Sequence, residues 1–197
     1  MTVRVAIFAL VFALMSGLSA PDAAAQARTV HVFDDVRALR TSLVGRHIAT
    51  QIQGVQQQMQ AELEAEVAPV RADRDLLQAE VQALSPEQIQ QRPDIIQRMQ
   101  QLEQRSQGLE ISRRRKAAEL QRTEQQALQP VLQTIQQVLK DMTEEQAIEL
   151  IINAQSVVFA LEVVDLTPEV IRRLDQQMTT TPVNRVRLPD QPPQQGQ

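Results

Sequence analysis

The chain has 197 residues, no cysteine, a formal net charge of −4 and few aromatic residues, none of them Trp or Tyr. The absence of cysteine excludes disulfide bonds, and acidity together with so few stacking side chains argues against nucleic-acid binding. Glutamine is abundant and glycine is rare, with five residues in the whole chain, which is typical of long exposed helices rather than of a loop-rich globule.

Residues 1–27 have the features of a cleavable signal peptide. Arg4 supplies a positive charge, residues 5–18 form an apolar stretch of about 14 residues, and residues 25–27 (Ala-Gln-Ala) fit a cleavage site, with cleavage after Ala25 as a second choice. This stretch is short for a membrane span, so an uncleaved anchor is the less favoured alternative, and no later segment is apolar for long enough to cross a bilayer. We therefore expect an exported chain.

Residues 28–43 are predicted to begin a small folded body. Residues 29–34 (Thr-Val-His-Val-Phe-Asp) contain three β-branched residues and a Phe, which favours a short strand, and a short helix follows. The acidic pair Asp34 and Asp35 favours the start of that helix rather than a cation site. His31 and His47 have no accompanying ligand pattern, so we expect neither to bind a metal.

A long helical arm is predicted over residues 44–142. Apolar residues recur about every 3.6 positions between residues 44 and 84, which matches a nearly straight α-helix, and a helix over residues 36–84 would reach about 70 Å. Residues 85–88 (Ser-Pro-Glu-Gln) form a capping box with proline at the first helical position. We therefore place the tip of a hairpin near residues 85–94.

The return helix is predicted over residues 94–142. Its apolar row is interrupted at Ser106, Arg113 and Glu124. Because the two helices have similar lengths and one short connection, they should pack antiparallel. The positions assigned to the row are 95, 99, 102, 106, 109, 113, 117, 120, 124, 128, 131, 135, 138 and 142.

Two helix breakers lie at similar distances from the predicted tip. Pro69 is in the outgoing helix and Gly108 is in the return helix. Proline inside a helix removes a hydrogen bond and kinks the helix. We interpret the pair as a candidate arm hinge, with a static kink as the alternative.

The C-terminal part, residues 143–178, is predicted to complete the body. Residues 147–153 and 157–160 favour two strands of a β-hairpin, and residues 167–169 (Thr-Pro-Glu) begin a terminal helix. Residues 179–197 are rich in Thr, Pro and Gln, and we expect them to be disordered. Three short strands leave open sheet edges, so self-association through the body is expected. The candidate oligomerisation residues are Val30, Val32, Phe33, Ile148, Leu150, Ile152, Val158 and Phe159.

The predicted fold class is α+β, mostly α, with a small β-containing body and a long antiparallel helical hairpin arm. This order of elements behind a signal peptide resembles the Skp/OmpH family of periplasmic chaperones. The matching segments are residues 30–34, residues 42–46, residues 147–153 with residues 157–160, and residues 164–171 (Val-Asp-Leu-Thr-Pro-Glu-Val-Ile). The last of these is similar to the Asp-(Ile/Leu)-Thr-x-x-Val-(Ile/Leu) pattern that closes the family fold.

The resemblance implies a periplasmic homotrimer shaped like a jellyfish. The bodies would join through their strands, and the arms would enclose unfolded outer-membrane β-barrel proteins and prevent their aggregation without ATP. It also implies lipopolysaccharide or an anionic membrane surface as a partner, but the nearest match to the family's basic cluster is the single charge of Arg122. This chain is also acidic, whereas the best-known members are basic, so apolar contacts must carry more of the client binding.

The basic run Arg113, Arg114, Arg115 and Lys116 is the sharpest local feature of the arm. Four consecutive residues surround a helix, so they cannot all face one partner. One interpretation is contact with a client or an anion. The favoured alternative is a solvated face paired with acidic residues three and four positions away.

Client binding is expected at apolar residues outside the helix rows, with Leu76, Ile96 and Ile111 as candidates. The sequence has no phosphate-binding loop, no nucleophile motif and no metal-ligand pattern, so we expect neither an enzyme nor a cofactor. The main alternative to a holdase is a structural coiled-coil spacer or adaptor of the envelope that binds no client.

Overall fold

The computed structural model describes residues 29–189, so the predicted signal peptide and residues 190–197 lie outside the described residues. The chain is mostly helical with a small sheet, which confirms the predicted fold class. Within residues 29–189, no helix is both long and apolar enough to cross a membrane. The elements are β1 (Val30–Phe33), α1 (Asp35–Thr41), α2 (Leu43–Gln82), α3 (Pro86–Gln90), α4 (Pro93–Gln146), β2 (Leu150–Asn153) and α5 (Thr167–Gln177).

A sharp break at Ser42 separates α1 from α2. The Ser42 side chain accepts a hydrogen bond from the Gly45 N–H at 3.2 Å and caps α2. The chain turns so closely that a Cβ at position 45 would overlap the carbonyl oxygen of Leu39 in α1. Glycine is therefore required here for close approach of two backbones.

Helices α2 and α4 form the arm and run antiparallel. Arg98 in α4 contacts Glu80 near the tip at 2.6 Å, and Lys116 contacts Glu62 nearer the body at 2.8 Å. With 40 residues in α2 and 54 in α4, the helices extend about 60 and 80 Å. The tip holds α3 between them, and Ser85 and Gln88 make the capping box expected there.

The sheet has two parallel strands rather than a β-hairpin. β1 and β2 pair in parallel, with Val30 opposite Leu150. The arm lies between them in the chain, so β2 begins at the same end of the sheet as β1. Residues 154–156 form a 3-10 turn, and residues 157–160, predicted as a third strand, pair with no strand within residues 29–189. The prediction of a hairpin is therefore wrong: these residues favour extended backbone, but the described chain offers them no partner.

One hydrophobic core joins the body to the base of the arm. It forms where α1, α5 and the two ends of the arm meet around β1. Leu166 also donates its N–H to the Val32 carbonyl at 2.9 Å, which fixes the start of α5 beside β1. The buried core residues are Phe33, Ala38, Val44, Ile48, Ala127, Val131, Ile135, Val138, Met142, Ile148, Leu166, Val170 and Leu174.

Residues 179–189, called the strap, follow α5 and lie back along the arm. Thr181 is buried and Val183 packs against the core. The expectation that the whole of residues 179–197 is disordered is therefore wrong for the strap. Composition predicted disorder because the segment has few apolar residues, but the strap is held by hydrogen bonds and ion pairs to the arm, which composition does not reveal.

Candidate functional site

The inward face of α4 changes character along the arm. Near the body it is aliphatic, but farther out it carries four polar residues that are all buried: Ser112, Lys116, Glu119 and Thr123. Buried polar groups need partners, and here several come from α2. Ser112 donates to Glu66 at 2.6 Å, and the Lys116 ammonium lies 2.8 Å from Glu62 and 3.4 Å from Glu66.

The strap covers this polar section. The Arg185 guanidinium donates twice to Glu62, at 2.7 and 2.9 Å, and once to Glu119 at 3.1 Å, so it bridges α2 and α4. The main chain contributes as well: the Val186 N–H donates to Thr123 Oγ1 and the Leu188 N–H donates to Glu119, each at 3.0 Å. We call Glu62, Lys116, Glu119 and Thr123 the mid-arm site.

The electrostatics of the mid-arm site follow from these contacts. Hydrogen bonds from Arg185 and Lys116 lower the pKa of Glu62 to about 2. Burial raises the pKa of Glu119, but hydrogen bonds from the Leu188 N–H and from Arg185 outweigh it, so that pKa also lies below its usual range. Both carboxylates are therefore ionised near neutral pH, and the strap contributes charge-assisted hydrogen bonds to both.

The predicted row of α4 has the wrong phase in this section. Apolar periodicity predicts that residues 113, 117, 120, 124 and 128 face inward, whereas the structure buries residues 112, 116, 119, 123 and 127. A search for apolar periodicity cannot find a buried row whose members are Ser, Lys, Glu and Thr. A signal was nevertheless present, because this polar row continues the aliphatic row of residues 131, 135, 138 and 142 at helical spacing.

The basic run of residues 113–116 is divided between several environments. Arg113 is exposed and pairs with Glu110 on its own helix at 2.9 Å, as the solvated-face interpretation expected. Arg114 is exposed, and Arg115 is half-buried and lines the space between arm and strap. Lys116 is buried between the helices. The run is therefore not a single cationic surface.

A cleft of 620 Å³ opens between α2 and α4 in the outer half of the arm. Half of its lining residues are aliphatic, and the other half are polar or charged. The candidate hinge residues Pro69 and Gly108 lie at the level of this cleft, and both helices are continuous through them. The aliphatic lining residues are Val67, Val70, Leu77, Val81, Met99, Leu102 and Leu109.

The candidate client-contact residues lie on the surface of the arm. Ile96 and Ile111 are both exposed on α4 and take no part in the core. Leu76 on α2 is more exposed still, at 66%. The arm therefore presents separate apolar side chains to its surroundings rather than one continuous apolar patch.

The candidate oligomerisation residues divide into two groups. Val32, Phe33 and Ile148 are buried in the chain's own core, while Val30 and Leu150 are exposed and Ile152 is half-buried on the sheet. The predicted third strand is exposed, with Val158 fully open and Phe159 at 79%. Two further apolar residues just after this segment, Leu161 and Val163, are also exposed and were not among the predicted residues.

Comparison with known proteins agrees with this architecture. The sequence profile of the family described as outer membrane protein (OmpH-like) matches residues 29–174. The chain belongs to the OmpH-like family. A crystal structure from Caulobacter crescentus, described as that of a candidate OmpH-like outer membrane chaperone, has a similar fold: TM-score 0.65, 24% identity, and coverage of 81% of this chain and 91% of that one. No curated protein sequence matches the chain. The strap lies beyond the residues that match the family.

Among residues 29–189, no group of His, Asp and Glu side chains is arranged to hold a metal ion. The His31 Nδ1 atom is buried and has no hydrogen-bond partner within the described residues. The arm therefore combines an open cleft between α2 and α4 with exposed apolar side chains on two long helices.

Proposed function

We propose that this protein is a periplasmic, ATP-independent holdase chaperone. In this proposal it binds unfolded outer-membrane β-barrel proteins between the helical arms of a homotrimer and prevents their aggregation, without enzymatic activity. The observation that carries the proposal is the arm itself, in a chain of the OmpH-like family: two helices extend far beyond the body and expose apolar side chains around an open cleft.

Exposed apolar residues of the body support the proposal of a trimer. Residues 157–163 expose four apolar side chains and pair with no strand in the described chain, and β1 and β2 form a sheet of only two strands. A two-stranded sheet is marginal alone, and exposed apolar segments of this kind are usually covered by a partner. A second and a third copy would supply that cover.

Sedimentation of the mature chain tests the trimer. We expect a trimer for the natural protein and dissociation for Phe159→Asp, because a charge placed in the proposed interface would be desolvated. Leu76→Asp is the matched control, since Leu76 is similarly exposed but lies on the arm. A compact monomer at micromolar concentration, or equal dissociation by both variants, would contradict the proposed assembly.

Client binding is proposed along the arm, at the cleft and at Ile96 and Ile111. The expected result is suppression of aggregation when a urea-denatured outer-membrane β-barrel is diluted with stoichiometric protein and no ATP. A photo-crosslinker at position 96 or 111 should then capture the client. No suppression at a tenfold excess would reject the holdase.

One observation favours the spacer instead: α2 and α4 are continuous helices through Pro69 and Gly108, as a stiff rod requires. We propose nevertheless that these residues form a hinge, because a Cβ at Gly108 would meet no described neighbour within 4 Å, so packing does not explain the glycine. The distribution of spin-label distances between arm tips should become narrower in the double variant Pro69→Ala and Gly108→Ala. An unchanged distribution would contradict the hinge and favour a stiff arm.

Lipopolysaccharide or an anionic membrane surface is the least supported partner. Arg113 is paired with Glu110, and Lys116 is held by Glu62 and Glu66, so two charges of the run are already partly neutralised. Binding to anionic vesicles should therefore be weak and should disappear at physiological salt.

A further inference from the structure

The end of the strap contacts the mid-arm site through its main chain. The N–H groups of Val186 and Leu188 both donate to α4, one to Thr123 and the other to Glu119. Two donors that are two residues apart and face the same side are typical of an extended chain. Because the strap contributes only backbone N–H groups to these two hydrogen bonds, and the acceptors are side chains of α4, a segment of almost any sequence could replace it as the donor.

One side chain adds selectivity. Arg185 is 14% exposed and is held between Glu62 on α2 and Glu119 on α4. The planar guanidinium meets Glu62 through two parallel hydrogen bonds, a geometry that an ammonium group cannot reproduce. Arg187, two residues along, is exposed and makes no hydrogen bond or ion pair with residues 29–189.

Within residues 29–189, the strap leaves part of this surface unsatisfied. The Arg185 Nε atom is buried without a hydrogen-bond partner in the described chain, which disfavours the bound position. A cleft of 320 Å³ also remains between arm and strap, lined by Arg115, Arg187 and Pro189 among others. A segment that leaves a donor unpaired and a cleft unfilled can be exchanged for another segment more readily than a packed core element.

We propose that the mid-arm site binds an extended polypeptide segment carrying an arginine, and that residues 184–189 occupy it in cis as a competing ligand. Charge supports this ligand class, because without the strap the three carboxylates of Glu62, Glu66 and Glu119 outnumber the two cations beside them, Lys116 and Arg115. The external ligand would be a basic extended segment of an unfolded protein, a step that rests on the proposed holdase function.

The test uses the full mature chain and a fluorescent peptide of residues 184–189 (Asn-Arg-Val-Arg-Leu-Pro) added in trans. The natural chain should bind the peptide weakly, because its own strap competes at an effective concentration on the order of millimolar. Arg185→Ala in the chain weakens the strap, so peptide affinity should rise at least about tenfold. Arg187→Ala in the chain is the matched control and should behave like the natural chain.

The peptide carries its own controls. Arg185→Ala in the peptide should abolish binding, whereas Arg187→Ala in the peptide, which removes the same charge, should change affinity less than about threefold. Adding Glu62→Gln and Glu119→Gln to the Arg185→Ala chain should also abolish binding. Equal effects of the two peptide substitutions would show attraction by net charge alone and overturn the proposal. So would the absence of binding to a folded Arg185→Ala chain at about 10 mM peptide.

The aggregation assay separates this inference from the holdase proposal. If the Arg185→Ala chain binds the peptide as expected but no form of the protein suppresses aggregation, the mid-arm site stands and the holdase function fails. If the natural chain suppresses aggregation but the peptide never binds, the strap is only a structural link between α2 and α4.

Discussion

The base and the middle of the arm are joined by different physical means. At the base, Ile135, Val138 and Met142 of α4 are buried with Val44 and Ile48 of α2 in one aliphatic core. In the middle, the same face of α4 is polar and is joined to α2 by carboxylates, an ammonium group and the strap. Apolar packing has no charges for salt to screen and no groups that titrate, whereas the ion pairs of the polar section are weakened by salt and by acid. We therefore expect the base of the arm to stay packed under all these conditions. The contact between α2 and α4 in the middle section should depend on salt and pH.

The largest effect is expected at the base. Ile135→Ala should lower the free energy of unfolding by about 3 kcal/mol, because it leaves a cavity in a core where Ile135 is 3% exposed. The loss should be the same at low and high salt. Leu132→Ala, one turn away and exposed, should cost less than about 1 kcal/mol. Urea denaturation measures the free energy of unfolding of both variants. If the loss of stability in Ile135→Ala depends on salt, the proposed distinction between the base and the middle of the arm is wrong.

The second largest effect concerns the break between α1 and α2. Gly45→Ala should cost about 2–3 kcal/mol, because the new Cβ meets the rigid carbonyl of Leu39 rather than a movable side chain. Gly54→Ala is the matched control in the same helix, where no described atom lies within 4 Å of the added Cβ. That change should stabilise the chain by about 0.5–1 kcal/mol. Equal effects would mean that the close approach at residue 45 is unimportant.

In the middle of the arm, Lys116→Ala should cost about 1–2 kcal/mol, since it removes a buried cation from Glu62 and Glu66. The loss should shrink at 1 M salt. Arg113→Ala removes a charge from the same basic run, but its pair with Glu110 is exposed on both sides, so the cost should stay below about 0.5 kcal/mol. If the two variants lose equal stability, Lys116 does not join the helices.

These two regions also differ in how far the sequence predicts them. The aliphatic row of α2, with Val44, Ile48, Met59 and Val67 buried, follows directly from apolar periodicity. The same reasoning placed Arg113 and Glu124 inward, because a buried Lys116 or Thr123 depends on partners that are remote in sequence. The strap was missed for the same reason: its contacts join residues 63 to 123 positions apart. Periodicity reports a local pattern. It reveals neither ion pairs between residues that are distant in sequence nor whether residues 157–160 find a partner strand within residues 29–189.

The smallest expected effect is the response of the middle section to acid. The pKa of Glu62 is lowered to about 2 by hydrogen bonds from Arg185 and Lys116, so its ionised form favours the closed strap and arm. A lowered carboxyl pKa gives stability that is complete above the unfolded value near 4.5 and is lost as pH falls toward 2. Hydrogen exchange at residues 112–123 should therefore accelerate relative to residues 131–142 between pH 5 and pH 3. Glu62→Gln should remove most of this difference, since the amide does not titrate. If both segments open in parallel in the natural chain, base and middle form a single cooperative unit, and the strap does not control the arm.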